Sequence, residues 1–157
     1  MDTELLRCGK LLIKKQLTIA FAESATAGQL AADFSLIPDA GKFLKGALVC
    51  YDANLKEDLL KVPKKLIEEM TPESMEVTRA ITVGLADLIE ADLHVGITGL
   101  TCPGGSETRE KPVGTMFIHC TLNSGPLFSE RIEFTGDPEQ IVKQSVLHTA
   151  KLLAENI

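Results

Sequence analysis

The sequence has no tryptophan, a single tyrosine and an aromatic content of only 4%, although 45% of its residues are apolar. Its core must therefore be built mainly from aliphatic side chains, which suit helices packed closely on a sheet. With 157 residues the chain fits one domain, residues 1–157, and can bury a sizeable core. The apolar fraction argues against a disordered chain.

Charge and hydropathy exclude two kinds of partner. The chain carries 16 Lys and Arg against 22 Asp and Glu, and it has no basic run that could neutralise a nucleic-acid backbone. No stretch approaches the roughly 18 apolar residues of a membrane span, and the opening MDTELLRCGK lacks the apolar core of a signal peptide. We therefore expect a cytoplasmic protein with neither a nucleic-acid nor a membrane partner.

The cysteines and histidines are not spaced as a metal site requires. The cysteines are scattered, with no C-x-x-C pair and no histidine at zinc-ligand spacing. His119 and Cys120 are neighbours in an expected strand, so their side chains should point to opposite faces. We expect no metal or other cofactor, and we expect His94 and His148 to be structural.

Helical and strand-like patterns alternate along the chain. The spacing of apolar residues and the capping residues predict helices over 3–15, over 26–37, from Thr71-Pro72 onward, and after Asp137-Pro138. Strands are predicted over 17–22, 45–51, 93–98, 113–122 and 127–134, the last two as a hairpin around Asn123-Ser124-Gly125-Pro126. A connector with short helices is expected to run to Met70.

Strands separated by helices imply parallel pairing with both sheet faces covered, whereas a hairpin adds antiparallel pairing. We therefore predict an α/β fold, a three-layer α/β/α sandwich with a mixed, mostly parallel sheet. Such sheets bind ligands at the carboxyl ends of their strands. Three polar segments follow strand ends here, at 23–28, 51–56 and 99–112, and we expect them to form the walls of one site.

The first of these segments has two interpretations. Thr26 and Gln29 match a capping box, and on that view Glu23, Ser24 and Thr26 only begin a helix. The capping box gives Ser24 no role, however. A serine between a strand and a helix has its hydroxyl near free backbone N–H groups, which favour a developing oxyanion.

Each of the other two segments also has two interpretations when it is taken alone. Lys56 is either a solvated lysine or a base whose pKa burial has lowered from about 10.4. Tyr51, the only tyrosine, stands close to it in CYDANLK. The glycine loop, residues 99–112, is either an ordinary flexible loop or a place where backbone amides approach a phosphate.

Together the three segments resemble the CinA C-terminal domain family, whose characterised members include the PncC-type nicotinamide mononucleotide deamidases. The family motif AESCTGG is matched by residues 22–28, YSNEAK by residues 51–56, and TGIAGPGG…EKPVGTV by residues 98–116. The third match is the most specific. The FTGD at 134–137 is similar to the F-x-GD that precedes the family's last helix.

This resemblance implies an amidohydrolase of pyridine nucleotide salvage that converts nicotinamide mononucleotide to nicotinate mononucleotide and ammonia without a metal. By position, Ser24 would be the nucleophile, Lys56 its base, and Tyr51 the partner that orients or relays the proton. Backbone amides after Ser24 would hold the oxyanion, and the glycine loop would help bind ribose or phosphate. A homo-oligomer is also implied. Substrate contacts would come from Glu23, Ala25, Thr26, Gly28, Thr98, Gly99, Gly104 and Gly105.

The chain departs from the family pattern at four places. Ala25 replaces a cysteine, Ala27 replaces the first glycine of a pair, Ala53 takes the place of an asparagine, and Pro138 stands where many members carry arginine. A methyl group at position 27 could disturb the oxyanion site or the ligand fit. These departures keep a second function open: a nucleotide-binding or regulatory protein that kept the pocket and lost turnover.

Overall fold

The computed structural model describes all residues from Met1 to Ile157. Six helices and five strands follow one another along the chain: α1 (Thr3–Lys15), β1 (Ile19–Glu23), α2 (Gln29–Ser35), β2 (Leu44–Val49), α3 (Ala53–Asp58), α4 (Lys64–Met70), α5 (Met75–Leu88), β3 (Leu93–Gly99), β4 (Thr115–Leu122), β5 (Gly125–Glu133) and α6 (Pro138–Asn156). A short 3₁₀ turn, Ala40–Lys42, precedes β2. No helix has both the length and the apolar character needed to cross a membrane.

The five strands form one mixed sheet in the order β2-β1-β3-β4-β5. Strand β1 pairs in parallel with both β2 and β3, whereas β4 is antiparallel to both β3 and β5. Four of the five strands therefore point the same way, and β4 alone runs against them. The predicted α/β fold with a mixed sheet is confirmed.

Helices cover both faces of this sheet. Helices α1, α2 and α6 pack on one face around a core that includes Leu93, Val95 and Ile97 of β3. Helix α5 packs on the other face, with α4 against it, and meets the alternate positions of the inner strands, such as Ala20 and Ala22. Because side chains alternate along each strand, the inner strands face a helix layer on either side, and β1 contributes to both cores.

Two helix starts differ from those predicted. The helix expected over 26–37 is shorter, and the capping box of Thr26 and Gln29 does not form because the Thr26 hydroxyl donates to the Glu23 carboxylate at 2.7 Å. The helix expected from Thr71 begins instead at Met75, with the Ser74 hydroxyl accepting the Val77 amide at 3.2 Å. A helix cannot include Thr71, whose φ is 69°.

Two other local sequence patterns, at the start of α6 and between β4 and β5, correctly predict the structure. Asp137 and Gln140 form a reciprocal capping box at the start of α6, with Pro138 in its first turn. The predicted hairpin between β4 and β5 is confirmed, although its loop is tighter than expected. Asn123 and Ser124 both have positive φ, 49° and 67°, as a two-residue type I′ connection requires.

The register of the sheet brings three strand ends together. Glu23, the last residue of β1, is paired with Val49 on one side and with Ile97 on the other. The segments that follow β1, β2 and β3 therefore leave the same edge of the sheet side by side. This confirms the expected convergence of the three polar segments on one region.

Candidate active site

Ser24 is the first residue beyond β1, and neighbouring backbone holds it firmly. Its N–H donates to the Ile97 carbonyl at 3.1 Å, and its own carbonyl accepts from the Ala27 amide at 3.1 Å. The next two amides, those of Ala25 and Thr26, donate to no acceptor within the protein. A hydroxyl followed by two free N–H groups is the arrangement that an oxyanion site requires.

Lys56 projects from α3 into the protein and is only 1% exposed. Its Nζ lies 3.0 Å from the Ser24 Oγ, 2.8 Å from the Cys50 carbonyl oxygen and 3.5 Å from the Tyr51 carbonyl oxygen. The Ser24 hydroxyl and the Lys56 amine thus lie within the hydrogen-bond reach that a nucleophile and its base require. A solvated lysine at this position, the alternative that the sequence left open, is wrong.

Burial changes the acidity of this lysine. Loss of solvent lowers the pKa of Lys56, and the neighbouring Cys50 thiol and the Glu73 and Asp52 carboxylates oppose that shift only in part. A neutral lysine amine keeps two N–H groups and one lone pair. With the two carbonyl oxygens accepting the N–H groups, the lone pair is left to accept the proton of the Ser24 hydroxyl.

Glu23 shapes the turn that carries Ser24. Its fully buried carboxylate accepts four hydrogen bonds, at 2.7 to 3.0 Å, from the Thr26 hydroxyl and from the amides of Gly28, Leu30 and Ala31. It thereby caps α2, a task that the sequence pattern had assigned to Thr26. Its backbone carbonyl accepts from the Cys50 amide at 2.8 Å, which joins the Ser24 turn to the segment that contacts Lys56.

A cavity of about 230 Å³ opens beside the Ser24 hydroxyl. Its lining is formed by Ser24, Ala25, Tyr51, Glu73, Gly99, Leu100, Thr101, Cys102, Pro103, Gly104 and Gly105. All of these except Glu73 lie in the three segments that the sequence predicted as walls, and six of them were named individually as site residues. Lys56 lies behind Ser24 rather than in the lining.

Four expected substrate contacts stand outside the lining: Glu23, Thr26, Gly28 and Thr98. The Thr98 hydroxyl, for example, lies 2.9 Å from the Thr78 hydroxyl and is fully buried. Tyr51 does line the cavity, but the residue is 61% exposed and its hydroxyl bonds to neither Ser24 nor Lys56. Only its backbone carbonyl touches the Lys56 amine.

Glu73 is a cavity residue that the sequence did not reveal. Its Oε2 accepts from the Ser106 hydroxyl at 2.5 Å. The Lys111 ammonium donates to the Ser106 Oγ, to the Thr71 Oγ1 and to the Glu73 carbonyl, at 2.7 to 2.9 Å. This network ties the glycine loop to the segment before α5, over a sequence separation of 38 residues that no local pattern encodes.

Comparisons with known proteins agree with the family resemblance that the motifs indicated. The model of the CinA C-terminal domain matches residues 3–157. The chain belongs to the CinA C-terminal domain family. It is 34% identical over 145 residues to a CinA-like protein of Desulfotalea psychrophila, a match that covers 92% of this chain and 35% of that protein. A CinA-like protein of Dictyoglomus thermophilum is 33% identical over 147 residues, with 94% and 35% covered. The chain thus spans about a third of the length of these relatives.

Solved structures of the CinA superfamily share the fold over nearly their whole length. The protein from Klebsiella pneumoniae 700603 superimposes with a TM-score of 0.91 at 27% identity, covering 99% of this chain and 97% of that one. The protein from Escherichia coli has a TM-score of 0.90 at 25% identity, covering 100% and 93%.

Departures from the CinA pattern fall mostly outside the cavity. Ala27 has a φ of 48°, in the left-handed region that glycine prefers, but it is exposed and not part of the lining. Ala53 begins α3, and Pro138 lies in the first turn of α6. Only Ala25 lines the cavity itself. No group of three or more His, Cys, Asp or Glu side chains is placed to hold a metal ion.

Proposed function

We propose that this chain is an amidohydrolase that converts nicotinamide mononucleotide to nicotinate mononucleotide and ammonia. The observation that carries the proposal is the 3.0 Å contact between the Ser24 Oγ and the buried Lys56 Nζ beside a cavity. A hydroxyl within reach of an amine of lowered pKa is an activated nucleophile. The family motifs around both residues supply the substrate class.

The first half of the reaction acylates the serine. Lys56 accepts the Ser24 proton as the Oγ attacks the carboxamide carbon, and the amides of Ala25 and Thr26 stabilise the resulting oxyanion. Collapse of this intermediate breaks the C–N bond. The Lys56 ammonium returns its proton to the leaving nitrogen, which departs as ammonia and leaves an ester on Ser24.

The second half releases the acid. Water attacks the ester carbon while Lys56 accepts a proton from it, and the same two amides again hold the oxyanion. Proton return to Ser24 frees the carboxylic acid product and restores the starting site. Because the Tyr51 hydroxyl bonds to neither Ser24 nor Lys56, we place Tyr51 against the substrate, where it orients the carboxamide.

The decisive experiment removes the nucleophile and keeps the fold. The Ser24→Ala variant should bind nicotinamide mononucleotide by calorimetry and lose ammonia release by roughly a thousandfold or more. The matched control is Ser35→Ala, because Ser35 is an exposed serine whose hydroxyl donates only to the Ala32 carbonyl. Ammonia release by Ser24→Ala at the control's rate would refute the proposal.

The second candidate, a nucleotide-binding protein without turnover, is favoured by one observation. Ala27 adopts a left-handed conformation where the family motif has glycine, and it stands directly after the two amides assigned to the oxyanion. Wild-type protein that binds the mononucleotide but releases no ammonia would support this candidate. If the Ala27→Gly variant is also inert, the binding function replaces the enzymatic one.

A further inference from the structure

Glu73 is the one charged residue in the lining of the cavity beside Ser24. The other ten of the eleven lining residues are uncharged, and none is a lysine, an arginine or a histidine. Glu73 is half-buried, so water screens its carboxylate less than it screens one on the open surface. A ligand that enters this cavity therefore meets one negative charge and no positive charge from the lining.

Two contacts hold Glu73 at the cavity wall. Its Oε2 accepts from the Ser106 hydroxyl at 2.5 Å, and its backbone carbonyl accepts from the Lys111 ammonium at 2.9 Å. The Glu73 Oε1 accepts no hydrogen bond from the protein and is not sealed from solvent. A Cβ atom built on Gly105, another lining residue, would lie 4.0 Å from this Oε1. One carboxylate oxygen is thus fixed by the protein, and the other is free to contact a ligand.

Neither of the two neighbouring lysines neutralises this carboxylate by direct contact. Lys111 directs its three N–H groups to two hydroxyls and to the Glu73 carbonyl, at 2.7 to 2.9 Å. Lys56 lies behind Ser24, outside the lining, and burial lowers its pKa, which favours the neutral amine. No ion pair of the protein includes Glu73. Its charge therefore remains available to a cationic ligand.

A second carboxylate near Gly105 has the same sign of charge. The Glu107 Oε1 accepts from the Gly104 amide at 2.8 Å, and Glu107 is not part of the lining. Its Oε2 would lie 3.6 Å from a Cβ atom built on Gly105. Glu107 therefore adds to the negative potential at this end of the cavity.

We infer that Glu73 determines specificity for the charge of the substrate: its free carboxylate oxygen pairs with a cationic ring that carries the carboxamide, so the cavity selects pyridinium amides over neutral ones. The inference rests on the proposed function. In nicotinamide mononucleotide the carboxamide is attached directly to a pyridinium ring, so a carboxamide held at Ser24 brings the positive charge into the cavity that contains Glu73. Tyr51, the one aromatic residue of the lining, favours the same charge, because aromatic rings attract cations.

Two ligands that differ in ring charge test this role. Nicotinamide mononucleotide has a cationic pyridinium ring, whereas its reduced form has an uncharged dihydropyridine ring with the same carboxamide, ribose and phosphate. Calorimetric titrations use the Ser24→Ala protein, in which we expect binding without turnover. Adding Glu73→Gln should raise the Kd of the oxidised form roughly tenfold, as expected for the loss of one half-buried ion pair, and should leave the Kd of the reduced form within about twofold.

The substitution and its control are matched in charge and size. Glutamine keeps an acceptor oxygen for the Ser106 hydroxyl, so Glu73→Gln removes the charge and preserves the contact with the glycine loop. The control is Glu76→Gln, because Glu76 is exposed in the first turn of α5 and lies outside the lining. It should change neither Kd. Unchanged binding of the reduced form also shows that the Glu73→Gln protein is folded.

Several results would overturn the inference. Equal weakening of both ligands by Glu73→Gln would show that the carboxylate only shapes the loop, and an equal effect of Glu76→Gln would reduce the result to net charge. Oxidised and reduced forms that bind the Ser24→Ala protein equally well would show no selection by charge. Glu73→Asp is a second variant that keeps the charge, so it should keep the preference for the oxidised form, and loss of that preference would contradict the charge assignment.

Failure of this inference and failure of the proposed function give different results. If the wild type releases no ammonia but Glu73→Gln weakens only the oxidised form, the enzymatic function fails and the role of Glu73 stands. If the wild type releases ammonia but Glu73→Gln leaves the binding of the oxidised form unchanged, the role of Glu73 fails and the enzymatic function stands.

Discussion

Replacing Lys56 with methionine is the sharpest perturbation of the proposed mechanism. Methionine fills nearly the same buried volume but has no ammonium group. The Cys50 carbonyl then loses its 2.8 Å donor, a loss that costs about 1–3 kcal/mol for a buried acceptor. Removing a buried, poorly solvated amine offsets part of that cost. We therefore expect the free energy of unfolding of Lys56→Met to lie within about 2 kcal/mol of the wild-type value.

Activity should respond far more strongly than stability. A positioned general base contributes about 10²–10⁴ to the rate. Because Lys56 also protonates the leaving ammonia, we expect a loss near the middle of that range, about a thousandfold or 4 kcal/mol of transition-state stabilisation. The loss should appear in kcat with KM nearly unchanged, since Lys56 lies behind Ser24 and outside the cavity lining.

Steady-state ammonia release from nicotinamide mononucleotide measures this effect, with urea unfolding as the check on the fold. Lys65→Met is the matched control, because the Lys65 side chain is 83% exposed and pairs only with Glu69 at 3.7 Å. It should keep wild-type activity, as exposed pairs of this kind contribute little. A folded Lys56→Met protein within tenfold of wild-type kcat would refute the base assignment.

Four further predictions test the site and the turn beneath it. Burial lowers the pKa of Lys56, and only its neutral amine accepts a proton. The value of kcat/KM should therefore rise with pH and level off below pH 10.5. A profile that still rises at pH 10.5 would contradict the assignment of Lys56 as the base. The double variant Ser24→Ala/Lys56→Ala should release ammonia no more slowly than the poorer single variant, because members of a catalytic unit are not additive; multiplied losses would show independent roles. Ala27→Gly should raise the free energy of unfolding by about 0.5–1 kcal/mol in urea titrations, since it relieves a left-handed alanine, and a decrease would show that Ala27 is not strained. Glu23→Gln should lower that free energy by about 2–4 kcal/mol because an amide nitrogen would face backbone donors, and an unchanged midpoint would refute the capping role.

Elements whose stabilising contacts are local could be predicted from the sequence. The start of α6 depends on Asp137, Pro138 and Gln140, which lie within four positions of one another, and the structure forms the capping box that their spacing predicts. The hairpin between β4 and β5 likewise depends on two adjacent residues that accept positive φ. The apolar periodicity of the strands and helices was sufficient to predict the mixed α/β sandwich.

Local patterns failed where a distant or buried group competed for the same atoms. Thr26 and Gln29 have the spacing of a capping box, yet the Glu23 carboxylate is the stronger acceptor and takes both the Thr26 hydroxyl and the amides of α2. At the start of α5, Ser74 rather than Thr71 serves as cap, because the chain from Thr71 onward is held by the Lys111 network.

The features of the site also divide into those that the sequence determined and those that the tertiary structure decided. The sequence alone determined that a serine, a lysine and a glycine loop follow strand ends, since those identities and the order of the strands are written in it. Only the tertiary structure decided that Lys56 is buried against Ser24, that Glu73 joins the cavity, and that the Glu107 carboxylate accepts from the Gly104 amide. Desolvation and through-space contact depend on how whole elements pack, and sequence spacing carries no measure of either.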